Sequence, residues 1–194
     1  MKVIISRESI LKMRVDAIVN PANSQLREGG GLCGAIFDKV RRVGGVDAHK
    51  KLTDACDAFG GCPTGEAVMT PSFGLWAPKI IHAVGPIWHG RSPLPVGVKL
   101  TADEATGLKA LESVYCSILH LCEESGLNSV AIPGVSTGIF GFPKELAAAV
   151  AVAVCRSHDM NLEVHLVAAS DDYFDLLSAA PSVTAVQWVA STGE

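Results

Sequence analysis

The sequence predicts an α/β fold, a three-layer α/β/α sandwich in which helices cover both faces of one sheet. Three observations carry this expectation. Short apolar runs of strand length alternate with segments of helical period along the chain, an alternation that needs helices on both faces of a sheet. The 194 residues, 48% hydrophobic and 19% charged, suit one globular domain spanning 1–194 and not a disordered segment. Glycine clusters stand at junctions where a strand hands over to a helix, the places where α/β sheets gather their ligands.

Met1 to Ser6 reads as a first strand, too short an apolar run for a signal peptide. Val15 to Val19 is a second strand. Gly34 to Val43 follows a glycine cluster and carries Ala35, Ile36, Val40 and Val43 at helical spacing, and Val46 to Phe59 reads as a further, more polar helix. Ala67 to Thr70 and Lys79 to Val84 are strands. The Gly-, Pro- and Arg-rich stretch 89–100 is expected to be the least regular part of the chain. Thr101 and Glu104 have capping-box spacing and open a long helix with Leu108, Leu111, Tyr115, Ile118, Leu119 and Cys122 on one side, stopped by Gly126. Ser129 to Ile132 is a buried strand. Pro143 stands at the first turn of an Ala/Val-rich helix that runs through Val154. A strand over Leu162 to Ala169, a helix over Asp171 to Ala179 and a strand over Thr184 to Val189 complete the pattern.

Charge and cysteine content narrow the function. A net charge of −4 argues against a basic surface that grips nucleic acid, but small anions can be held by backbone amides alone. No apolar stretch is long enough to span a membrane, and the cytoplasm is the expected location. The six cysteines, at positions 33, 56, 62, 116, 122 and 155, lack CxxC spacing and adjacent histidines, so reduced, mostly buried thiols are expected and no metal site.

Two loops stand out. The first, Asn20 to Gly34, contains Gly29-Gly30-Gly31 followed by Leu32 and Cys33. The second, Pro133 to Pro143, contains Gly134, Ser136, Thr137, Gly138, Ile139, Phe140 and Gly141, and no charged residue. Neither is a Walker A loop or a GxGxxG fingerprint. Either could be plain turn material, but two such loops at equivalent strand ends favour an anion site built from peptide N–H groups and the hydroxyls of Ser136 and Thr137.

Val15-Asp16-Ala17-Ile18-Val19-Asn20-Pro21-Ala22-Asn23-Ser24 followed by Gly29-Gly30-Gly31 closely resembles the macrodomain signature. So do Thr64-Gly65-Glu66-Ala67, Ile81 to Pro86, and Ile132 to Gly141, in the family's order. The resemblance implies the same sandwich with a mixed central sheet, and ADP-ribose and mono-ADP-ribosylated proteins as partners of a monomer that needs no cofactor. It implies that Asp16 accepts from the adenine amino group beside the backbone of Ala17 and Ile18, and that Asn23 orients the distal ribose. Gly29, Gly30, Gly31, Leu32 and Cys33 line the ribose and diphosphate. Gly134, Ser136, Thr137, Gly138, Ile139 and Phe140 wrap the diphosphate, with Phe140 on the distal ribose. Asn23, Gly30 and Gly138 are the residues implied in catalysis.

The implied activity is hydrolysis of the ester that joins ADP-ribose to Asp or Glu side chains, with O-acetyl-ADP-ribose deacetylation in the same pocket. The rival reading is a non-catalytic reader of the modification. Two departures from the family pattern bear on this. Cys33 stands where hydrolases of the MacroD kind carry an aspartate, although some viral macrodomains also carry a cysteine there. The aromatic that stacks on adenine is matched by Ser170, with Tyr173 or Phe174 one turn further on as replacements. His82, mid-strand among apolar residues, reads as a satisfied core histidine.

Overall fold

The computed structural model describes residues 1–92 and 99–180. Six strands form one mixed sheet: β1 (Lys2–Ser6), β2 (Ala17–Pro21), β3 (Ala67–Pro71), β4 (Lys79–Ala83), β5 (Ser129–Pro133) and β6 (Glu163–Val167). Their order across the sheet is β1-β6-β5-β2-β4-β3, with every neighbouring pair parallel except β3–β4. The helices are α1 (Gly31–Asp57), α2 (Ala102–Glu124), α3 (Lys144–Ser157) and α4 (Asp171–Ala179), with a 3-10 turn at Ile10–Lys12. None is long and apolar enough to cross a membrane. The strand expected at Thr184 to Val189 lies outside the described residues.

Side-chain alternation sorts the sheet's two faces into two cores. Ala17, Val19, Ile81, Val130, Ile132, Val164 and Leu166 pack under α2, α3 and α4. Ile18, Ile80, Ala131 and Val167 pack on the other face, against Ile36, Phe37, Val40 and Leu52 of α1. The sandwich is thus three layers thick, as the alternation predicts. Helix α3 is buried from Leu146 through Cys155, which accounts for its Ala/Val composition: small side chains let it lie close between α2 and α4.

Helix ends differ from expectation in two informative places. The helix expected from Gly34 begins at Gly31, directly after an N-cap Gly30 that offers no side-chain cap. The break expected between Val43 and Val46 is present: Gly45, at φ 77° and ψ −173°, leaves the helical region and divides α1 into two helical segments. The capping box at the start of α2 is complete: Thr101 Oγ1 accepts from the Glu104 amide, and the Glu104 carboxylate accepts from the Thr101 amide. Pro143 is the N-cap of α3 and not its first residue.

Candidate functional site

Strands β5 and β2 are neighbours whose following helices lie on opposite faces of the sheet, α3 on one and α1 on the other. At such a switch point the outgoing loops diverge and leave a crevice beyond the strands' carboxyl ends. A cavity of about 490 Å³ occupies it. Its walls come from the ends of β2 (Pro21, Ala22, Asn23), β4 (Ala83, Gly85), β5 (Pro133, Gly134, Val135) and β6 (Ala169, Ser170). Gly29–Cys33, Ser136–Phe140, Lys144 and Tyr173 complete the lining.

The first loop turns sharply at Leu26, a buried residue at φ 58°, closed by the Leu26 amide on the Asn23 carbonyl at 2.9 Å. Asn23 reinforces the turn: its Oδ1 accepts from the Arg27 amide at 3.2 Å, and its Nδ2 donates to the Arg27 carbonyl at 2.7 Å. The loop's far end is fastened to α1 by Glu28, whose carboxylate meets Arg41 at 3.3 Å and His49 at 2.8 Å. Gly29 through Cys33 then pass the cavity. Among the described residues the amides of Gly31, Leu32 and Cys33 donate to no backbone acceptor, as the first turn of an uncapped helix requires, whereas the Gly29 amide donates to the Cys33 sulfur. The helix dipole adds partial positive charge at the same place.

The second loop presents the amides of Gly138, Ile139 and Phe140, again without a protein acceptor among the described residues. Ser136 holds φ 66°, a left-handed conformation that costs a non-glycine residue on the order of 1–3 kcal/mol. Its hydroxyl is buried at the cavity wall with no hydrogen-bond partner. Such strain and such an orphan persist where the surroundings over-determine them, and a polar ligand would satisfy the hydroxyl. Gly85 of the β4 exit lies against Ser136; a Cβ there would overlap the serine hydroxyl.

The cavity therefore offers two rows of peptide N–H groups and little net charge. Lys144, the cationic wall residue among the described residues, is engaged by Asp172 at 2.6 Å, and that hydrogen bond holds the Asp172 carboxyl down at about 2. Cys33 lines the cavity, and burial pushes its thiol up, which favours the protonated form. The Tyr173 hydroxyl is buried beside Tyr115, and burial raises both phenols. No group of three or more His, Cys, Asp or Glu among the described residues could hold a metal. The free cysteines are buried apart from Cys116, which is exposed.

The structure brings together Asn23, Gly29, Gly30, Gly31, Leu32, Cys33, Gly134, Ser136, Thr137, Gly138, Ile139, Phe140, Ser170 and Tyr173 on one cavity. It does not bring Asp16, Ala17 or Ile18 there. Asp16 precedes β2, at the strand's amino end, whereas the cavity lies beyond its carboxyl end. Its carboxylate accepts from the amides of Asn128 at 2.7 Å and Ser129 at 3.1 Å, tying β2 to the start of β5. Ala17 and Ile18 are buried in the ladder between β4 and β5. Phe174 is not part of the lining either; the Arg7 guanidinium sits 3.5 Å over its ring. Sequence reasoning passed over Lys144, although its place directly after Pro143, at the mouth of a strand-to-helix loop, marks it.

His82 is indeed a satisfied core residue. Its Nδ1 faces Asn20 Nδ2 at 3.1 Å and its Nε2 faces Thr70 Oγ1 at 2.9 Å and Cys56 Sγ at 3.6 Å. An amide donor on Nδ1 leaves Nε2 carrying the proton, which the threonine accepts. Burial lowers the imidazole to about 4. A histidine lowered in the fold binds its proton more readily when unfolded, so stability is full above the unfolded value and is lost as pH falls from there toward 4. Acid titration of the melting temperature is expected to show a slope between about pH 6.5 and 4, amounting to on the order of 3 kcal/mol, that His82→Gln flattens. An unchanged slope in that variant would assign it to other groups.

With the geometry in hand, comparison with known proteins gives one answer. A family model described as Macro domain matches residues 19–151. A macro domain-containing protein of Ralstonia nicotianae is 42% identical over 157 residues, 81% of this chain and 80% of that protein. The ADP-ribose glycohydrolase MACROD1 of Rattus norvegicus is 42% identical over 155 residues, 80% of this chain and 53% of that protein's length. The solved Oceanobacillus iheyensis macrodomain with ADP matches at a TM-score of 0.74 and 27% identity, over 96% of this chain and 90% of that one. The Trypanosoma brucei macrodomain in complex with ADP-ribose matches at 0.71 and 29%, over 90% and 67%.

Proposed function

This chain belongs to the macrodomain family, and from that premise we propose that it binds ADP-ribose and removes it from esterified Asp and Glu side chains of proteins. The observation that carries the reading is the convergence of two glycine-rich loops, with amides that find no backbone acceptor among the described residues, over one cavity at the switch point of the sheet. Amide rows of this kind suit a diphosphate, which needs several donors and no side-chain base. The similarity to an ADP-ribose glycohydrolase and to macrodomains solved with ADP and ADP-ribose supports the ligand class.

In this reading the Gly29–Gly31 segment and Asn23 hold the distal ribose, and Ser136 through Phe140 wrap the diphosphate. Water adds across the ester, releasing ADP-ribose and the free carboxylate. Among the described residues the lining holds no Asp, Glu or His to act as a base; burial raises the Cys33 thiol and the Tyr173 phenol, and Lys144 is engaged by Asp172. Activation of the water is then left to the ligand's own phosphate, and the rate rests on orientation, which can contribute on the order of 7–11 kcal/mol. A missing base forfeits roughly 10²–10⁴-fold, so a slow hydrolase is expected. The same pocket would accept the small ester O-acetyl-ADP-ribose.

The lack of a base favours a second reading, a non-catalytic reader of the modification. One experiment separates them. A protein mono-ADP-ribosylated on glutamate, incubated with saturating enzyme, is expected to lose the modification in a single turnover. Retention of the modification, alongside calorimetric binding of ADP-ribose in preference to AMP, would establish the reader instead. Absence of ADP-ribose binding would end both.

A further inference from the structure

The described part of the segment that leaves β4 is fastened to the start of α2 and to the second loop. Glu104, at the start of α2, is fully buried. Its carboxylate accepts from the Arg91 amide at 3.0 Å, from Arg91 Nε at 2.7 Å and NH2 at 2.6 Å, and from the Thr101 amide at 2.8 Å. The Arg91 side chain is 38% exposed, but the buried Glu104 carboxylate left without its partner would be costly, so the pair fixes geometry more than it adds net stability. Here it fixes the turn at Gly90, where a Cβ would collide with Glu104 and Trp88.

Trp88 is the part so fixed. Its indole Nε1 donates to the Arg91 carbonyl at 3.1 Å. Its ring rests on Phe142 with centroids 4.6 Å apart, in a seat opened by Gly107 of α2. A glycine inside a helix costs roughly 1 kcal/mol against alanine, and a Cβ there would press on the indole at 3.2 Å. The Trp88 amide donates to the Phe140 carbonyl at 2.8 Å. Among the described residues, that is the hydrogen bond joining the tip of the second loop to another segment. The loop's other bonds, Gly141 to Gly138 and Phe142 to Ser136, are internal.

We infer that Arg91, Glu104 and Trp88 act as positioning residues for the cavity: the pairing of Arg91 with the buried Glu104 carboxylate sets Trp88, and Trp88 holds the Phe140 peptide so that Gly138–Phe140 keep their amides toward the diphosphate. None of the three lines the cavity. The inference rests on the proposed binding of ADP-ribose, but its structural half can be read without ligand.

The test uses the whole chain carrying Arg91→Met with Glu104→Gln, which removes both charges together so that no buried carboxylate is left unpaired. Trp88→Phe, which keeps a ring on Phe142 and deletes the indole donor, is the milder second variant. Calorimetric affinity for ADP-ribose is expected to fall about tenfold in the double variant, or ~1.4 kcal/mol, and about threefold in Trp88→Phe. Amide hydrogen exchange at Gly141 and Phe142 is expected to quicken in the same order while exchange in β5 is unchanged. Wild-type affinity in a folded double variant would overturn the inference, as would weakened binding with unaltered exchange at those two amides. If wild-type protein bound no ADP-ribose, the functional reading would fall alone, and unaltered exchange at Gly141 and Phe142 would still overturn this one.

Discussion

Gly34→Ala is expected to weaken ADP-ribose binding by roughly 100-fold in a protein that remains folded. Gly34 does not line the cavity. It sits in the first turn of α1, where a Cβ would lie 2.5 Å from the Gly29 carbonyl oxygen, a backbone atom that cannot rotate away. Either the helix start or the Gly29–Gly31 segment must move. The segment is the softer of the two, since Ile36 and Phe37 bury the helix in the core. Overpacking of this kind costs about 1–3 kcal/mol of stability, tolerable in a domain with two cores. Binding suffers more. A hydrogen bond to a charged group contributes about 1.5–3 kcal/mol, and displacing one or two donors gives the stated loss. Gly138→Ala is a contrast in mechanism: a Cβ there meets no protein atom within 4 Å, so any loss of affinity would come from the ligand and not from a displaced loop. Calorimetry on both variants checks the expectation; a Gly34→Ala protein that binds normally would show that the first loop does not grip the ligand.

Asn23→Ala is expected to slow single-turnover hydrolysis by at least roughly 10²-fold while affinity falls less than tenfold, the scale on which misplacing a reacting group by an ångström acts. The side chain has two duties. It braces the turn through both polar atoms, on the Arg27 amide and carbonyl, and it lines the cavity where the distal ribose would rest. Alanine removes both, and the left-handed Leu26 loses the side-chain contacts that reinforce its turn. Arg27 is exposed, so water replaces its bonds and stability changes little. Asn23→Asp keeps the acceptor for the Arg27 amide but sets a carboxylate against the Arg27 carbonyl, and it should fall between. Equal losses in rate and affinity for Asn23→Ala would count against a role in orienting the ribose.

The layers, the parallel run of strands and the crevice at their carboxyl ends were legible because they depend on local period and on glycine placed between periods. Helix α4 spans Asp171–Ala179 as the pattern predicts, and β4 and β5 differ from it by a single residue at their ends. Asp16 was misread for a reason the sequence itself contains. It precedes its strand, and in a sheet whose ligands collect beyond the far ends a residue there faces the wrong way. The helix start at Gly31 was hidden because glycine is a poor helix former, and the three glycines read as loop. Contacts that depend on register could not be read at all. Asn20 meets His82 only because β2 and β4 pair residue for residue at that point. Glu104 was recognised as half of a capping box, but its tie to Arg91 spans a loop whose path no local pattern sets.

The two lips of the cavity hang from different cores. The first loop is anchored to α1 and the apolar cluster on one side of the sheet, and the second runs into α3 and the cluster on the other. A molecule seated between them acts as a rivet through the sheet, and it fits only when both helical layers are docked. Hydrogen exchange is therefore expected to slow in both helical layers together when ADP-ribose is bound, because a ligand held by both loops must leave before either layer can lift.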